Sequence, residues 1–441
     1  MARVLLLGAG LVTRPLAKYL LSQPGLQLTI GSRTVAKAEA LLEGHPQGRA
    51  LALLVEDESA LSRQVAEHDL SISLLPYIHH VRVANLCIRH RKQMVTTSYI
   101  SPAMRALDGA AREAGILILN EIGVDPGIDH MSAMRVIHDV QSRGGKVTAF
   151  SSYCGGLPAP EANTNPWGYK FSWSPRGVLM AGKNAGRFLR DGQIVDIPGP
   201  ELFAHYETVE VPGGGTFEGY TNRDCLGYIE QYGLEGIPSM FRGTLRYPGW
   251  CDTLRAFVAL GYLDETPRAD LAGKTFMDLA GMLVPRAAGK ADVAGEVAAH
   301  LGIAKDSEPI RRFAWLGLFS DEKLPAAPTV LDVMVARMLE KLAYAPGERD
   351  MLVMHHQFRA EFPDHREAIT STMVDFGIPN GDTSMSRTVS LPAAIATRMI
   401  LEGKIQMTGI QAPVHPQIYQ PVLRELESMN IVCRERTQRI A

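Results

Sequence analysis

Apolar residues in this chain follow two alternating rhythms. "RVLLLGAG" is a continuous apolar run, the pattern of a strand buried on both faces of a parallel sheet. "TRPLAKYLLSQ" follows, with Leu16, Tyr19 and Leu20 at helix-face spacing and Pro15 near the first turn, where a missing N–H costs nothing. "LQLTIGSRT" predicts a second strand from Leu26 to about Gly31, and "VAKAEALLE" a second helix. "RALALLV", "LSISLLP", "QMVTTSY" and "GILILNEIG" repeat the strand pattern with helical sequence between them. This alternation through about residue 123 predicts an α/β fold, a Rossmann-type doubly wound parallel sheet.

The texture then changes. "SSYCGGLPAPEANTNPWGYKFSWSPRGVL" is dense in Gly, Pro, Tyr and Trp, and with "KVTAFSSYCGG" it predicts antiparallel strands and site-lining loops of an α/β substrate domain. From about Gly249 to Leu324 the chain is Ala- and Leu-rich and reads as a helical insertion. "RDMLVMHHQFRAEF" and "REAITSTMVDFG" are strands again. "SLPAAIATRMILEGKI" predicts a helix with Ser390 as N-cap and Pro392 in its first turn. The expected division is a dinucleotide-binding domain from 1–123 plus about 388–441, a substrate and dimerisation domain from 124–248 plus about 325–387, and an insertion over about 249–324.

Composition narrows the function classes. With 441 residues, 46% hydrophobic and 21% charged, the chain suits a folded globular protein of more than one domain. Lys plus Arg number 45 against 47 for Asp plus Glu, so there is no basic field to gather nucleic acid or an anionic membrane surface. The cysteines Cys87, Cys154, Cys225, Cys251 and Cys433 are widely spaced and contain no C-x-x-C pair, which points to a reducing compartment. The apolar start is too short for a membrane span and lacks a cleavage site, so the expectation is a cytoplasmic protein.

A strand running into a helix through Gly8-x-Gly10 is the context of a phosphate-gripping turn, with Thr13 where the common fingerprint has its third glycine. The end of the second strand carries Ser32-Arg33-Thr34 instead of an acidic residue. A guanidinium flanked by hydroxyls suits a 2′-phosphate, so the expected cofactor is NADP(H). In "GVDPGIDHM", Asp125 is a candidate to accept a proton or orient an amine. The plainer alternative is a capping Asp125 and a solvated Asp129. Tyr99 is a candidate proton donor, and Cys154 lies beside two glycines with no cation visible to activate it. Arg223, Arg242 and Arg246 stand in Gly- and Tyr-rich segments read as loops, where arginines bind carboxylates. The pairs His79-His80 and His355-His356 read as packing or hydrogen-bonding residues, because strand neighbours face opposite ways, and no metal site is expected.

Taken together, "GLVTRPLAKYL", "TTSYISPAM", "NEIGVDPGIDHM", "NPWGYKFSWSPRGVL", "NRDCLGY", "FRGTLRY" and "SLPAAIATRMIL" resemble the saccharopine reductase family, the glutamate-forming saccharopine dehydrogenases, in order over nearly the whole chain. The resemblance implies a homodimer and reversible imine reduction, in which glutamate and 2-aminoadipate 6-semialdehyde combine and NADPH reduces the product to saccharopine. It implies that Gly10, Leu11, Val12 and Thr13 line the pyrophosphate, Ser32, Arg33 and Thr34 the 2′-phosphate, and Leu75 the adenosine side. Ser98, Tyr99, Val124, Asp125, Pro126, Trp173, Arg223, Thr244, Leu245 and Arg246 are implied around nicotinamide or substrate, with Tyr99, Asp125 and Cys154 as candidates for proton transfer. Trp167 and Pro175 depart from the smaller residues expected in their stretch. Two alternatives stay open: a carboxypolyamine reductase of the carboxynorspermidine type, which would need acidic residues facing an amine tail, and a catalytically silent NADP-binding sensor.

Overall fold

In the computed structural model, which describes residues 1–440, the opening apolar run is a strand, β1 (Ala2–Leu7), whose Val4, Leu5 and Leu6 are fully buried. The next helix, α1 (Arg14–Leu21), carries Pro15 in its first turn and buries Leu16 and Leu20. The alternation continues through β2 (Leu26–Ser32), α2 (Val35–Leu42), β3 (Gly48–Ala52), α3 (Glu58–Glu67), β4 (Leu70–Ser73), α4 (His80–His90), β5 (Gln93–Thr96), the short helices α5 (Pro102–Arg105) and α6 (Asp108–Glu113), β6 (Leu117–Leu119) and α7 (Ile128–Ser142). Side-chain caps fix several of these starts: Asp57 accepts from the Ala60 amide at 3.0 Å, and Ser101 from that of Met104 at 3.1 Å.

Two units emerge, 1–147 with 360–441 and 148–359. The middle stretch supplies β7 (Lys146–Pro158), α8 (Pro175–Ala181), β8 (Gly186–Arg190), β9 (Gln193–Ile197), β10 (Tyr206–Val211), β11 (Gly215–Thr221), α9 (Gly227–Gln231) and β12 (Ser239–Arg246). Five helices follow, α10 (Trp250–Ala259), α11 (Phe276–Leu283), α12 (Val293–Leu301), α13 (Glu308–Leu316) and α14 (Val330–Lys341), and then β13 (Asp350–Glu361). The strands lie in the order β10-β11-β12-β7-β13, and the β8–β9 hairpin joins β12. Antiparallel pairing was expected here, and β10–β11, β11–β12, β8–β9 and β8–β12 pair so. β7 and β12 instead run parallel, Cys154 opposite Thr244, because a whole α/β segment intervenes between them.

Trp167 and Pro175, the two departures noted above, have structural reasons. Trp167 is fully buried against Trp250, Phe257 and Phe313 of the helices and donates its indole N–H to the Arg312 carbonyl at 3.0 Å. Pro175 is the first residue of α8, behind the N-cap Ser174.

The chain ends with β14 (Arg366–Phe376), α15 (Ser384–Leu401), β15 (Gly409–Gln411), α16 (Pro416–Ser428) and β16 (Arg434–Ile440). Among the described residues β15 joins β1–β6 in one seven-stranded parallel sheet, ordered β15-β6-β5-β4-β1-β2-β3. Strand order reverses between β1 and β4, the crevice where such sheets bind ligands. The expected start of α15 is corrected. Thr383 is the N-cap, accepting from the Ser386 amide at 3.0 Å, and Ser390 lies inside the helix with its hydroxyl on the Ser386 carbonyl at 2.7 Å. Pro392 therefore stands in the helix interior, where it supplies no N–H to the Thr388 carbonyl one turn back.

Candidate active site

At the switch point, Gly8 has φ +111°, and a β-carbon there would stand 2.9 Å from the Leu74 carbonyl oxygen. Only glycine fits the turn. Gly10 differs: a β-carbon there would meet nothing within 4 Å, so its open side faces the crevice. Its N–H donates to the Thr13 hydroxyl at 3.0 Å, which explains Thr13 in place of a third glycine: it is buried, and it ties the turn to the helix start. Leu11 is exposed and Val12 half-buried beside it.

A pocket runs from Gly8 and Gly10 to Ser32, Arg33 and Thr34, with Leu75 on its far wall. Arg33 is exposed and, among the described residues, has no ion-pair partner. Thr34 begins α2 without a side-chain capping bond, so the helix start offers uncapped N–H groups next to that guanidinium. These features fit the phosphates of NADP(H). Sequence reasoning missed Lys37, one turn into α2 in the same pocket; its position after the Ser-Arg-Thr triplet was the available signal. Leu53, Val55 and Glu56 were equally unmarked, since they come from the end of β3 and the loop after it.

A second cluster of the same unit follows β6. The turn 121–130 is forced by Gly127, at φ +147°, where a β-carbon would lie 2.0 Å from the Gly123 carbonyl oxygen. Asp125 is half-buried between the buried Val124 and Pro126, and accepts a hydrogen bond from the Tyr99 hydroxyl at 3.1 Å. Two candidates for proton transfer thus touch each other. Asp129 is buried, not solvated, and takes the Gly127 amide. His130 is fully buried, 2.8 Å from Glu121, whose other carboxylate oxygen receives the Ile100 amide at 2.8 Å. Glu121 was not singled out in the sequence. It has φ +58°, which turns its side chain back under the loop after β5.

Ser98 is half-buried just after β5 in this same unit, and the remaining candidates belong to the other unit. Arg242 and Arg246 lie on β12, buried, rather than in loops. The Arg242 guanidinium stacks over Tyr228 at 4.2 Å. That of Arg246 stacks over Tyr169 at 5.0 Å and Trp250 at 5.5 Å, and donates to the Leu245 carbonyl at 2.7 Å. The Arg246 Nε has no hydrogen-bond partner, and no carboxylate among the described residues pairs with the side chain. Its cross-strand neighbour Glu218 is engaged by the Gly249 and Cys251 amides at 2.6 and 2.8 Å. Burial pushes Tyr169 upward and Tyr220 up to about 12, so these phenols stay neutral and supply no counter-charge.

Cys154 is buried opposite Thr244, and a β-carbon on Gly155 would stand 2.7 Å from the Leu245 carbonyl oxygen, so β7 and β12 approach closely there. Trp173 is half-buried over Gly177. Arg223 is exposed, at φ +59°. His355 and His356 are buried, His356 tilted against Phe150 at 5.6 Å, and no group of metal-ligating residues forms among the described residues.

Residues 4–119 match the family model of the saccharopine dehydrogenase NADP binding domain, and 123–432 that of the saccharopine dehydrogenase C-terminal domain. A saccharopine dehydrogenase [NADP(+), L-glutamate-forming] of Pyricularia oryzae is 40% identical over 443 residues, covering 98% of both chains. Mitochondrial alpha-aminoadipic semialdehyde synthase of Bos taurus is 38% identical over 98% of this chain but 47% of its own. The solved apo saccharopine dehydrogenase (L-Glu forming) of Saccharomyces cerevisiae superposes with a TM-score of 0.91 at 38% identity, over 99% of this chain and 100% of that one. From its phosphate turn to its C-terminal helices, this chain belongs to the saccharopine dehydrogenase family.

Proposed function

We propose that the protein is an NADP-dependent oxidoreductase that interconverts saccharopine with L-glutamate and 2-aminoadipate 6-semialdehyde, in lysine metabolism. The observation that carries the choice of substrate is Arg246, a buried guanidinium with no carboxylate partner: a ligand rich in carboxylates is what such a group binds. A polyamine-derived product would call for acidic side chains instead, and the notable unpaired charges here are cationic.

When bound, NADPH supplies the hydride for imine reduction. The chain's own residues bind and orient. Gly8, Gly10, Leu11, Val12 and Thr13 shape the pyrophosphate turn, Ser32, Arg33 and Thr34 the 2′-phosphate site, and Leu75 the adenosine wall. Val124, Pro126 and Trp173 serve the nicotinamide. Ser98, Thr244, Leu245 and Arg223 serve the substrate with Arg246. Tyr99 and Asp125 serve as donor to and acceptor from the reacting amine, a pairing supported by the hydrogen bond from the Tyr99 hydroxyl to Asp125. Cys154 is a candidate for the same task, though its burial among β-strands makes it the weaker one.

The five cysteines form no disulfide among the described residues, which supports a reducing, cytoplasmic setting, and no helix among the described residues is long and apolar enough to cross a membrane. Family resemblance supports a homodimer and the three-part domain division set out above. Absorbance at the nicotinamide band with saccharopine plus NADP or NAD tests the reading. Turnover with NADP preferred is expected, whereas NADPH binding without turnover on saccharopine would overturn it in favour of the polyamine branch or the silent sensor.

A further inference from the structure

His80 is the first residue of α4 and sits between the ends of two strands: Ser73 ends β4, Thr96 ends β5, and the two are paired in register. The imidazole is buried at 4% exposure. Its Nδ1 lies 2.8 Å from the Ser73 hydroxyl and its Nε2 2.8 Å from that of Ser98, with Thr96 farther off at 3.4 Å. The backbone around Ser98 is held independently, since the Glu121 amide donates to the Ser98 carbonyl at 3.1 Å and Glu121 receives the Ile100 amide. The loop therefore does not need His80 to keep its path. What the imidazole alone fixes is the direction of one hydroxyl.

We propose that His80 is a positioning residue for Ser98, anchored on Ser73 so that the Ser98 hydroxyl donates to a carboxylate of the bound substrate. This rests on the saccharopine reading above. With the ring neutral, the arrangement is a directed chain. Ser73 donates to Nδ1, the Nε2 proton goes to Ser98, and the Ser98 proton is left for the ligand. No residue in this chain ionises, so its contribution is that of one oriented hydrogen bond, about tenfold in affinity.

The two ring nitrogens can be replaced separately. A glutamine at 80 carries its amide nitrogen where Nε2 stands, and an asparagine where Nδ1 stands. For H80N the Michaelis constant for saccharopine is expected to rise about tenfold while NADPH affinity, read by nicotinamide fluorescence, stays within about twofold. H80Q is expected to stay within about threefold of wild type on both. S98A should match H80N, and the S98A/H80N double variant should be no worse than either. Additive losses in the double variant, H80Q as impaired as H80N, or NADPH affinity falling in parallel would each overturn the proposal. Should a His80 variant fail to fold, S73A removes the anchor and leaves the ring. It is then expected to raise the saccharopine Michaelis constant severalfold, and an unchanged value overturns the proposal. Absence of wild-type turnover on saccharopine sinks the functional reading as well, whereas wild-type turnover with H80Q no better than H80N sinks this proposal alone.

Discussion

The nucleotide pocket at the edge of the parallel sheet and the C-terminal end of β12 each present an arginine without an acidic partner, and the two have opposite physics. Arg33 is exposed on a turn, its charge solvated by water at little cost until a ligand arrives. Arg246 is 4% exposed, stacked between aromatic rings, with an unbonded Nε. Its desolvation was met during folding and only partly offset by the rings and one carbonyl. On the proposed reading, the first site discriminates between cofactors through a contact made wholly at binding. On the same reading, the second holds its cation incompletely satisfied until a carboxylate arrives, which trades stability for affinity.

That contrast sets the largest expected effect. Arg246→Met keeps the bulk and removes the charge, so kcat/KM for saccharopine should fall by at least about a hundredfold, the scale of a lost buried charge pair. Its melting temperature should hold or rise, because an incompletely satisfied buried cation is gone. A variant that melts lower with unchanged kcat/KM would make Arg246 a structural residue and erase the contrast. Arg33→Ala comes next. NADPH affinity should fall about tenfold to thirtyfold while NADH affinity hardly moves, and thermal stability should be unaltered. Titration of both cofactors against the variant reads this directly, and equal losses for the two would show that Arg33 does not meet the 2′-phosphate.

Legibility in the sequence divides along the same line. Gly8, Arg33 and Pro15 were readable because each acts through its own backbone or its immediate neighbours: a left-handed turn, a strand-end charge, a helix first turn. Glu121 and Lys37 were not, and His80 was readable only as a packing or hydrogen-bonding residue, expected on a strand where it in fact opens α4. Glu121 acts only because a positive φ turns it under residues that precede it by some twenty positions, and His80 because β4 and β5 pair in register. The parallel pairing of β7 with β12 was hidden for the same reason. A dense run of turn residues reads as local hairpins, and nothing local announces a partner strand beyond α8 and the β8–β11 strands. The start of α15 was misplaced because Ser-x-Pro imitates a cap, and the hydroxyl of Ser390 was already committed one turn back.

A second buried base sharpens the comparison from the other side. His80 escapes the burden of Arg246 by shedding its proton, and burial pushes its pKa down to about 4, with the neighbouring His79 adding to the shift. The unfolded chain binds that proton near pH 6.5, so between pH 6.5 and 4 the unfolded state holds more protons and stability falls with falling pH. From pH 7 to pH 5 this group should remove about 2 kcal/mol, read as a shift in urea midpoint, and His80→Gln should abolish that part of the slope. The smallest effect is expected at the exposed end of the series. Arg223 is solvent-facing at φ +59°, so a charge there acts through water and Arg223→Gln should raise the saccharopine Michaelis constant only severalfold, leaving NADPH affinity and stability in place. If Arg223→Gln instead matched the loss seen with Arg246→Met, exposure would not be what separates the two classes of arginine, and Arg223 would have to be desolvated when the substrate binds.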